Sequence, residues 1–153
     1  MTEGEIMLGE LWEQLLERID FDADDIHHDL SHEERVFMLT YWHYLDAGNG
    51  GESQFISNTG GDKYEETITA MDEIGAIQTA EYMRTIARIF RDESGQQFST
   101  DQIERQKQIE KYGWSDFIDL CERESEKRYQ KSEYIPDETV KCLIVYVEHH
   151  REV

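Results

Sequence analysis

The chain is predicted to be all-α, a single domain of residues 1–153 with about six to seven helices around a central helix rich in aromatic residues. One proline, Pro136, interrupts 153 residues, so nearly all of the backbone can form continuous helical hydrogen bonds. Apolar residues recur mainly at spacings of three and four, and strict alternation is scarce. Three Trp, eight Tyr and six Phe supply large apolar areas, which favours one packed core despite 33% charged residues.

The N-terminal segment, residues 1–29, is predicted to be an acidic helix followed by an acidic connector. A helix is expected from about Glu5 to Asp20, because its apolar residues follow helical spacing while its opposite face is acidic. Residues 1–30 hold ten acids and one base, Arg18, and so carry nearly half of the net charge of −20. Such a field repels nucleic acid and anionic membranes and attracts basic partners.

The second helix begins with a start signal in which Ser31 caps the helix and Glu34 completes a capping box. It is expected to run to about Asp46. Apolar residues lie on most of its sides, which is typical of a helix surrounded by others. It is therefore predicted to be the central helix of the core formed by residues 30–153.

Glycine-rich stretches at residues 48–51 and 60–61 bracket residues 52–59, which are expected to form an ordered turn region. The bracketing positions were interpreted as needing backbone conformations that glycine or asparagine adopts easily. Asp62 and Glu65 are predicted to form a capping pair for the next helix, which Gly75 ends. Further helices are expected near residues 77–90, 100–112, 115–131 and 137–150.

Cellular context is predicted from cysteine use and from the lack of targeting signals. Cys121 and Cys142 lie in amphipathic helical patterns without metal-ligand spacing, which favours buried, reduced thiols over a disulfide. No apolar run reaches the length of a membrane span, and the acidic N-terminus is unlike a secretory signal. The sequence therefore predicts a cytoplasmic protein.

Several short motifs in residues 30–153 occur together in a helical context. The central block is Asn49-Gly50-Gly51-x-x-Gln54-Phe55, followed by Asn58-x-Gly60. Glu34-Arg35, Tyr41-Trp42, Ile74-Gly75-Ala76 and Tyr146-Val147-Glu148-His149-His150 flank it. In these motifs the chain resembles the bacterial DNA-mimic protein family, with Glu52 departing from the aromatic residue more common after Gly-Gly. Residues 1–29 lie outside the resemblance.

That resemblance implies an acidic, all-helical protein, often a homodimer, whose best-studied kind presents carboxylates in place of DNA phosphates to a helix-turn-helix repressor. Nothing in the sequence itself marks a catalytic centre, and no cofactor is expected. The family motif consists of turn and core residues, so it transfers no DNA-mimicking acid to this chain. Its residues are expected to form a structural turn: Asn49, Gly50, Gly51, Gln54, Phe55 and Asn58.

The candidate partner-binding residues are the acids of the N-terminal segment, which lie at helical spacing or in the connector. A helical row from residue 10 to residue 20 is about 15 Å long, with neighbouring carboxylates roughly 5–6 Å apart. The candidates are Glu10, Glu13, Glu17, Asp20, Asp22, Asp24 and Asp25. The acids predict attraction of a basic partner, and the family resemblance implies that this partner is a DNA-binding protein such as a transcription factor.

Other interpretations of the acidity stay open. The row can be an ordinary solvated helix face, or an adaptation to high salt, since the chain has few lysines. The chain can also be an acidic adaptor or a toxin-neutralising protein without DNA mimicry.

An enzyme and a metal site are the less favoured hypotheses. An active site could use Asn49, Gln54 and Asn58 around the glycine turn with His43 as base, but no catalytic motif accompanies them. His28 and His32 are four residues apart, yet a helix start at Ser31 separates them, so no metal is expected. His149-His150 is interpreted as a solvated helix end.

Overall fold

The computed structural model describes residues 1–19, 29–131 and 135–151, and in these ranges it contains seven α-helices, one 3₁₀ helix and no strand. The helices pack around one hydrophobic core. The prediction of an all-α fold is confirmed. In chain order the elements are α1 (Glu3–Arg18), α2 (His32–Ser57), the 3₁₀ helix (Thr59–Lys63), α3 (Tyr64–Ile74), α4 (Ile77–Ser94), α5 (Gln102–Tyr112), α6 (Trp114–Lys131) and α7 (Ile135–Arg151).

Helix α2 is the element around which the others are arranged. It packs against α1, α3, α5, α6, α7 and the 3₁₀ helix. Every residue from 36 to 43 is buried, so this part of α2 faces other elements on nearly all sides, and Trp42 keeps 8% of its surface exposed. Tyr41 lies between aromatic neighbours, with its ring centroid 5.4 Å from that of Trp12 and 5.3 Å from that of Phe37. The prediction of a central, aromatic-rich helix is confirmed.

The start of α2 is defined by local hydrogen bonds, as its sequence predicts. The Ser31 hydroxyl accepts from the backbone N–H of Glu34, and the Glu34 carboxylate accepts from the backbone N–H of Ser31. Partial burial opposes ionisation of Glu34, but hydrogen bonds from Ser31 and Arg18 outweigh it and hold the pKa of Glu34 below its usual value. A second capping box, formed by Thr2 and Glu5, starts α1.

The predicted capping pair of Asp62 and Glu65 is wrong. Asp62 lies inside the 3₁₀ helix, and α3 begins after Lys63 without a side-chain cap. The Asp62 carboxylate instead accepts a hydrogen bond from Arg105, at 2.8 Å from Nη1. The Asp62 carboxylate therefore binds Arg105, 43 residues away in the chain, and does not cap a helix as its spacing to Glu65 predicts.

The turn region expected at residues 52–59 is also different, because residues 52–57 continue α2 beyond a kink. Gly50 (φ −142°, ψ 16°) and Gly51 (φ 84°, ψ 175°) depart from helical angles, and the helix then resumes. Only glycine adopts the φ of Gly51 at little cost. The kink turns the last helical residues back toward the core, where Phe55 and Ile56 are buried.

Gly60 and Gly61 are needed for space and not, as expected, for an unusual conformation, because neither has a positive φ. A Cβ atom on Gly60 would lie 2.6 Å from the Phe55 ring, and one on Gly61 would lie 2.2 Å from the carbonyl oxygen of Ile56. The 3₁₀ helix thus approaches the end of α2 more closely than any side chain would allow.

Neither Cys121 nor Cys142 forms a disulfide, but only Cys121 is fully buried. Cys121 is in the core, and burial raises the pKa of its thiol. Cys142 is partly buried, because Val140 and Leu143 form the inward face of α7. None of the described helices has a stretch long and apolar enough to cross a bilayer.

Candidate functional site

The exposed face of α1 carries a row of three carboxylates. Glu10, Glu13 and Glu17 are exposed, whereas Leu8 and Leu15 on the opposite face are buried. With a rise of 1.5 Å per residue, the row is about 10 Å long. The other four candidate acids, Asp20, Asp22, Asp24 and Asp25, lie outside the described residues.

No positive side chain neutralises this row within the described parts of the chain. The nearest base in sequence, Arg18, contacts the Glu34 carboxylate and donates to the carbonyl oxygen of Asp29 at 3.2 Å. Arg18 therefore ties the end of α1 to the start of α2. The three carboxylates of the row are therefore exposed without an ion pair among the described residues.

A second carboxylate row lies on α6, and sequence reasoning missed it. Its members are exposed and recur at intervals of three and four residues. Arg123, which lies among them, and Lys127, which follows them, both contact the buried Glu124 (3.8 and 2.8 Å). The spacing of three and four residues indicates a row on one helix face, but basic residues in the same segment make it less evident in the sequence. The row consists of Asp116, Asp119, Glu122 and Glu126.

A buried polar network joins the two halves of the kinked helix α2. His43 Nε2 lies 2.7 Å from Glu52 Oε1, and the Tyr64 hydroxyl donates to Glu52 Oε2 at 2.9 Å. All three side chains are buried. Burial, and secondly the Glu52 carboxylate, raises the pKa of Tyr64 well above its usual 10.0. Glu52, the residue that departs from the family pattern, is thus a core residue.

A second network beside the kink is partly exposed and centres on Asp46. Gln54 Nε2 donates to Asp46 Oδ1 at 2.7 Å, and Asn58 Nδ2 lies 3.2 Å from both carboxylate oxygens. Asp46 and Asn58 line an open cleft of about 590 Å³. Its other walls are Trp12, Trp42, Leu45, Asn49 and Thr59.

Comparison with known proteins supplies the family. The model of the DMP19-like protein family matches residues 28–150, which is most of the chain. The chain belongs to this family. This family is a DNA-mimic protein family, so the family predicted from the sequence is confirmed, whereas the Asn-Gly-Gly-x-x-Gln-Phe motif as its mark stays a prediction. No curated protein and no solved structure matches the chain.

The most extensive polar site in this DMP19-like core surrounds Arg105, which the sequence did not single out. Its guanidinium is fully buried and donates to the carbonyl oxygens of Ile56, Asn58 and Ser99 and to the Asp62 carboxylate. These bonds tie α5 to the end of α2 and to the 3₁₀ helix. Arg105 follows an ordinary helix pattern in a polar segment, so no local signal reveals its role.

The structure separates the residues of the enzyme hypothesis. His43 faces the core and contacts Glu52, whereas Gln54 and Asn58 bind Asp46 at the surface. His43 is also absent from the walls of the cleft that Asn49 lines. The groups proposed around a catalytic base therefore do not meet at one place.

The histidines near α2 and α7 make ordinary surface contacts. His32 Nε2 lies 2.9 Å from the Glu73 carboxylate, while His28 lies outside the described residues. Within the described ranges, no group of three or more potential ligands could hold a metal ion. His149 and His150 are exposed near the end of α7, and the His150 ring lies 4.3 Å from that of Tyr146.

Proposed function

We propose that this DMP19-like protein occupies the DNA-binding site of a basic protein, such as a helix-turn-helix transcription factor, through the carboxylate row of α1. The observation that carries the proposal is the row itself, in which Glu10, Glu13 and Glu17 are exposed and uncompensated among the described residues. In a chain of net charge −20 such a row attracts a basic surface.

The spacing of the row supports this proposal. Neighbouring carboxylates on one helix face are about 5–6 Å apart. A duplex has one phosphate charge per about 1.7 Å of its axis over two strands, so one row supplies only part of its charge density. The connector acids Asp22, Asp24 and Asp25 are proposed to add to it.

The experiment begins with a partner captured from native lysate at low salt. Labelled operator DNA is bound to this partner, and the protein is titrated in while displacement is measured. We expect displacement, because both ligands need the same basic surface. Affinity should fall as salt rises, since exposed charge pairs are screened.

A triple variant, Glu10→Gln/Glu13→Gln/Glu17→Gln, tests the row itself. Three exposed pairs of about 0.5 kcal/mol each correspond to about a tenfold loss of affinity. The matched control, Asp116→Asn/Asp119→Asn/Glu122→Gln, removes three carboxylates from α6 and should cost less, because Lys111 and Arg123 line the same cleft as Asp116 and Asp119. Equal losses in the two variants would mean that net charge alone attracts the partner.

The alternative is an adaptor or toxin-neutralising protein that binds a partner elsewhere than at its DNA site. A ternary complex of protein, partner and operator would favour this alternative and contradict mimicry. Light scattering on the purified chain tests the homodimer that the family resemblance implies. Unfolding curves at several salt concentrations test high-salt adaptation, which predicts loss of the fold at low salt.

A further inference from the structure

We infer that the cleft between α1 and the kink of α2 is a binding pocket for an arginine side chain of the basic partner. The inference deepens the proposed function and rests on it for the source of the arginine. The cleft contains one carboxylate, two indole rings and two carboxamides, and no basic residue among those that line it. A guanidinium group binds carboxylate and carboxamide oxygens and stacks on aromatic rings, and the cleft offers all three kinds of group.

The carboxylate of the pocket has a fixed position and a remaining acceptor site. Asp46 Oδ1 accepts from Gln54 and Asn58, whereas Oδ2 accepts only from Asn58 among the residues that the structure describes. An ionised carboxylate offers about four acceptor sites, so Oδ2 can take a further donor. The two amide side chains hold the Asp46 group in place, which lowers the entropy cost of binding a cation.

The aromatic walls favour a planar cation. Indole is the best ring for cation–π contact, and an arginine guanidinium stacks on it while reaching a carboxylate with its fork of donors. Trp12 is partly buried and Leu45 is 39% exposed, so the pocket offers apolar surface to the arginine stem as well. The Asn49 side chain makes no hydrogen bond within the described residues, and its carboxamide oxygen can accept from the same cation.

Location connects this pocket to the carboxylate row. Trp12 and Glu13 are neighbours on α1, so a basic surface attracted by the row is brought to the rim of the pocket. The pocket also explains a role for family-motif residues that mimicry alone leaves unused, because Asn49 and Asn58 line it and Gln54 orients Asp46. Charge on α1 attracts the partner, and the pocket selects one side chain.

The test uses the full chain and a small probe, N-acetyl-arginine amide, at constant ionic strength. Two-dimensional ¹H–¹⁵N NMR follows the three indole N–H signals and the Asn49 carboxamide. We expect saturable shifts at Trp12, Trp42 and Asn49, with none at Trp114, a residue that is 40% exposed on α6. The matched neutral probe, N-acetyl-citrulline amide, should give no saturable shift, and the lysine analogue should bind more weakly.

Two variants decide between this pocket and general charge attraction. Asp46→Asn should lower the affinity for the arginine probe at least fivefold. Asp92→Asn, which removes an exposed carboxylate elsewhere, should change this affinity less than twofold. Trp12→Leu changes the wall of the cleft that α1 provides and should also lower the affinity for the probe. This variant keeps the test valid if Asp46→Asn disturbs the kink. Equal binding of citrulline, equal shifts at Trp114, or an unchanged affinity in both Asp46→Asn and Trp12→Leu would overturn the inference.

Failure of the pocket and failure of the proposed function give different results. If the chain displaces operator and the α1 triple variant does not bind the partner, while the arginine probe does not bind, then the inference of an arginine pocket is wrong and the proposal of DNA mimicry is supported. If the probe binds at Trp12 and Asp46 but operator is not displaced, the pocket stands and mimicry is wrong.

Discussion

Glu17 and Glu52 carry the same carboxyl group in opposite surroundings. Glu17 is exposed on α1 with no ion pair in the described chain, whereas Glu52 is buried and contacts His43 and Tyr64. Water solvates the exposed group, so its removal costs the fold little. The buried group has exchanged water for protein partners, and its removal leaves those partners unsatisfied. Charge available for a partner and charge needed for the fold are thus separated by burial.

The largest effect is expected at the buried cation. Arg105→Met should lower the free energy of unfolding by about 3–5 kcal/mol, because the Asp62 carboxylate and three carbonyl groups lose their donor. Urea unfolding measures this loss. Arg84→Met is the matched control, because Arg84 pairs with Asp72 at the surface and should cost less than about 1 kcal/mol. A similar loss of unfolding free energy in the two variants would mean that burial does not make Arg105 more important to the fold than the exposed Arg84.

Alkaline pH should weaken the fold through buried tyrosines. Burial, and secondly Glu52, raises the pKa of Tyr82 above its usual 10.0, and Tyr64 is raised in the same way. Below pH 10 both states keep these protons, so the stabilisation is fully present there. Above pH 10 the unfolded state loses them first, and stability should fall by about 1.4 kcal/mol per pH unit for each tyrosine.

Unfolding curves measured between pH 9 and pH 12 give the slope of the whole chain, to which the buried Cys121 thiol and the raised pKa values of Tyr112 and Tyr146 also contribute. The share of Tyr82 is the difference between the chain and a variant that lacks its hydroxyl. Tyr82→Phe should reduce the slope by the share of one tyrosine. An unchanged slope in that variant would show that Tyr82 does not keep its proton in the folded state.

Removal of the buried carboxylate should have a smaller effect. Glu52→Leu leaves the His43 imidazole without its partner and should cost about 1–3 kcal/mol, whereas Glu65→Leu on the exposed face of α3 should cost about 0.5 kcal/mol or less. The double variant His43→Leu/Glu52→Leu removes both partners and should recover part of the loss. If the double variant is destabilised by the full sum of the single ones, the two side chains do not interact.

The kink offers a test with a control on the same helix. Gly51→Ala should cost about 1–2 kcal/mol, because alanine at φ 84° is strained. Gly50→Ala should also destabilise, since its Cβ would overlap Gln54 Oε1. Gly48 has no atom within 4 Å of a Cβ position, so Gly48→Ala should be neutral or slightly stabilising. Thermal melting compares all three.

The smallest effect on stability is expected from the exposed row. The triple variant of Glu10, Glu13 and Glu17 should change the free energy of unfolding by less than about 0.5 kcal/mol, in the stabilising direction, because like charges on one helix face repel. Urea unfolding at low salt measures this difference. A large loss of stability would show that the row belongs to the fold, and its effect on partner binding would then lose its meaning.

The sequence predicts features that are specified by neighbours in the chain. Ser31 and Glu34 form a capping box from residues three positions apart, and the apolar pattern of α2 follows from one helix. Asp62 shows the limit, because its spacing to Glu65 suggested a cap while the carboxylate binds distant Arg105. Local spacing does not reveal a partner brought by tertiary packing.

The glycines divide in the same way. Gly51 is identified by its place in the Asn-Gly-Gly block, and its positive φ follows from backbone chemistry. Gly60 and Gly61 look alike in the sequence, yet they are needed because Phe55 and the Ile56 carbonyl approach them. Glycine-rich stretches on both sides predict a turn region at residues 52–59, but residues 52–57 are helical, because burial of Phe55 and Ile56 stabilises a helix there.

The position of Arg105 in the chain also determines the order in which parts of the fold can form during translation. When a ribosome has released residues 1–100, Asp62 and the carbonyl groups of Ile56 and Asn58 have already emerged, but the guanidinium that joins them has not. The end of α2 and the 3₁₀ helix therefore remain without their central cation until α5 leaves the exit tunnel. The acidic surface of α1 is complete long before the core that supports it can close.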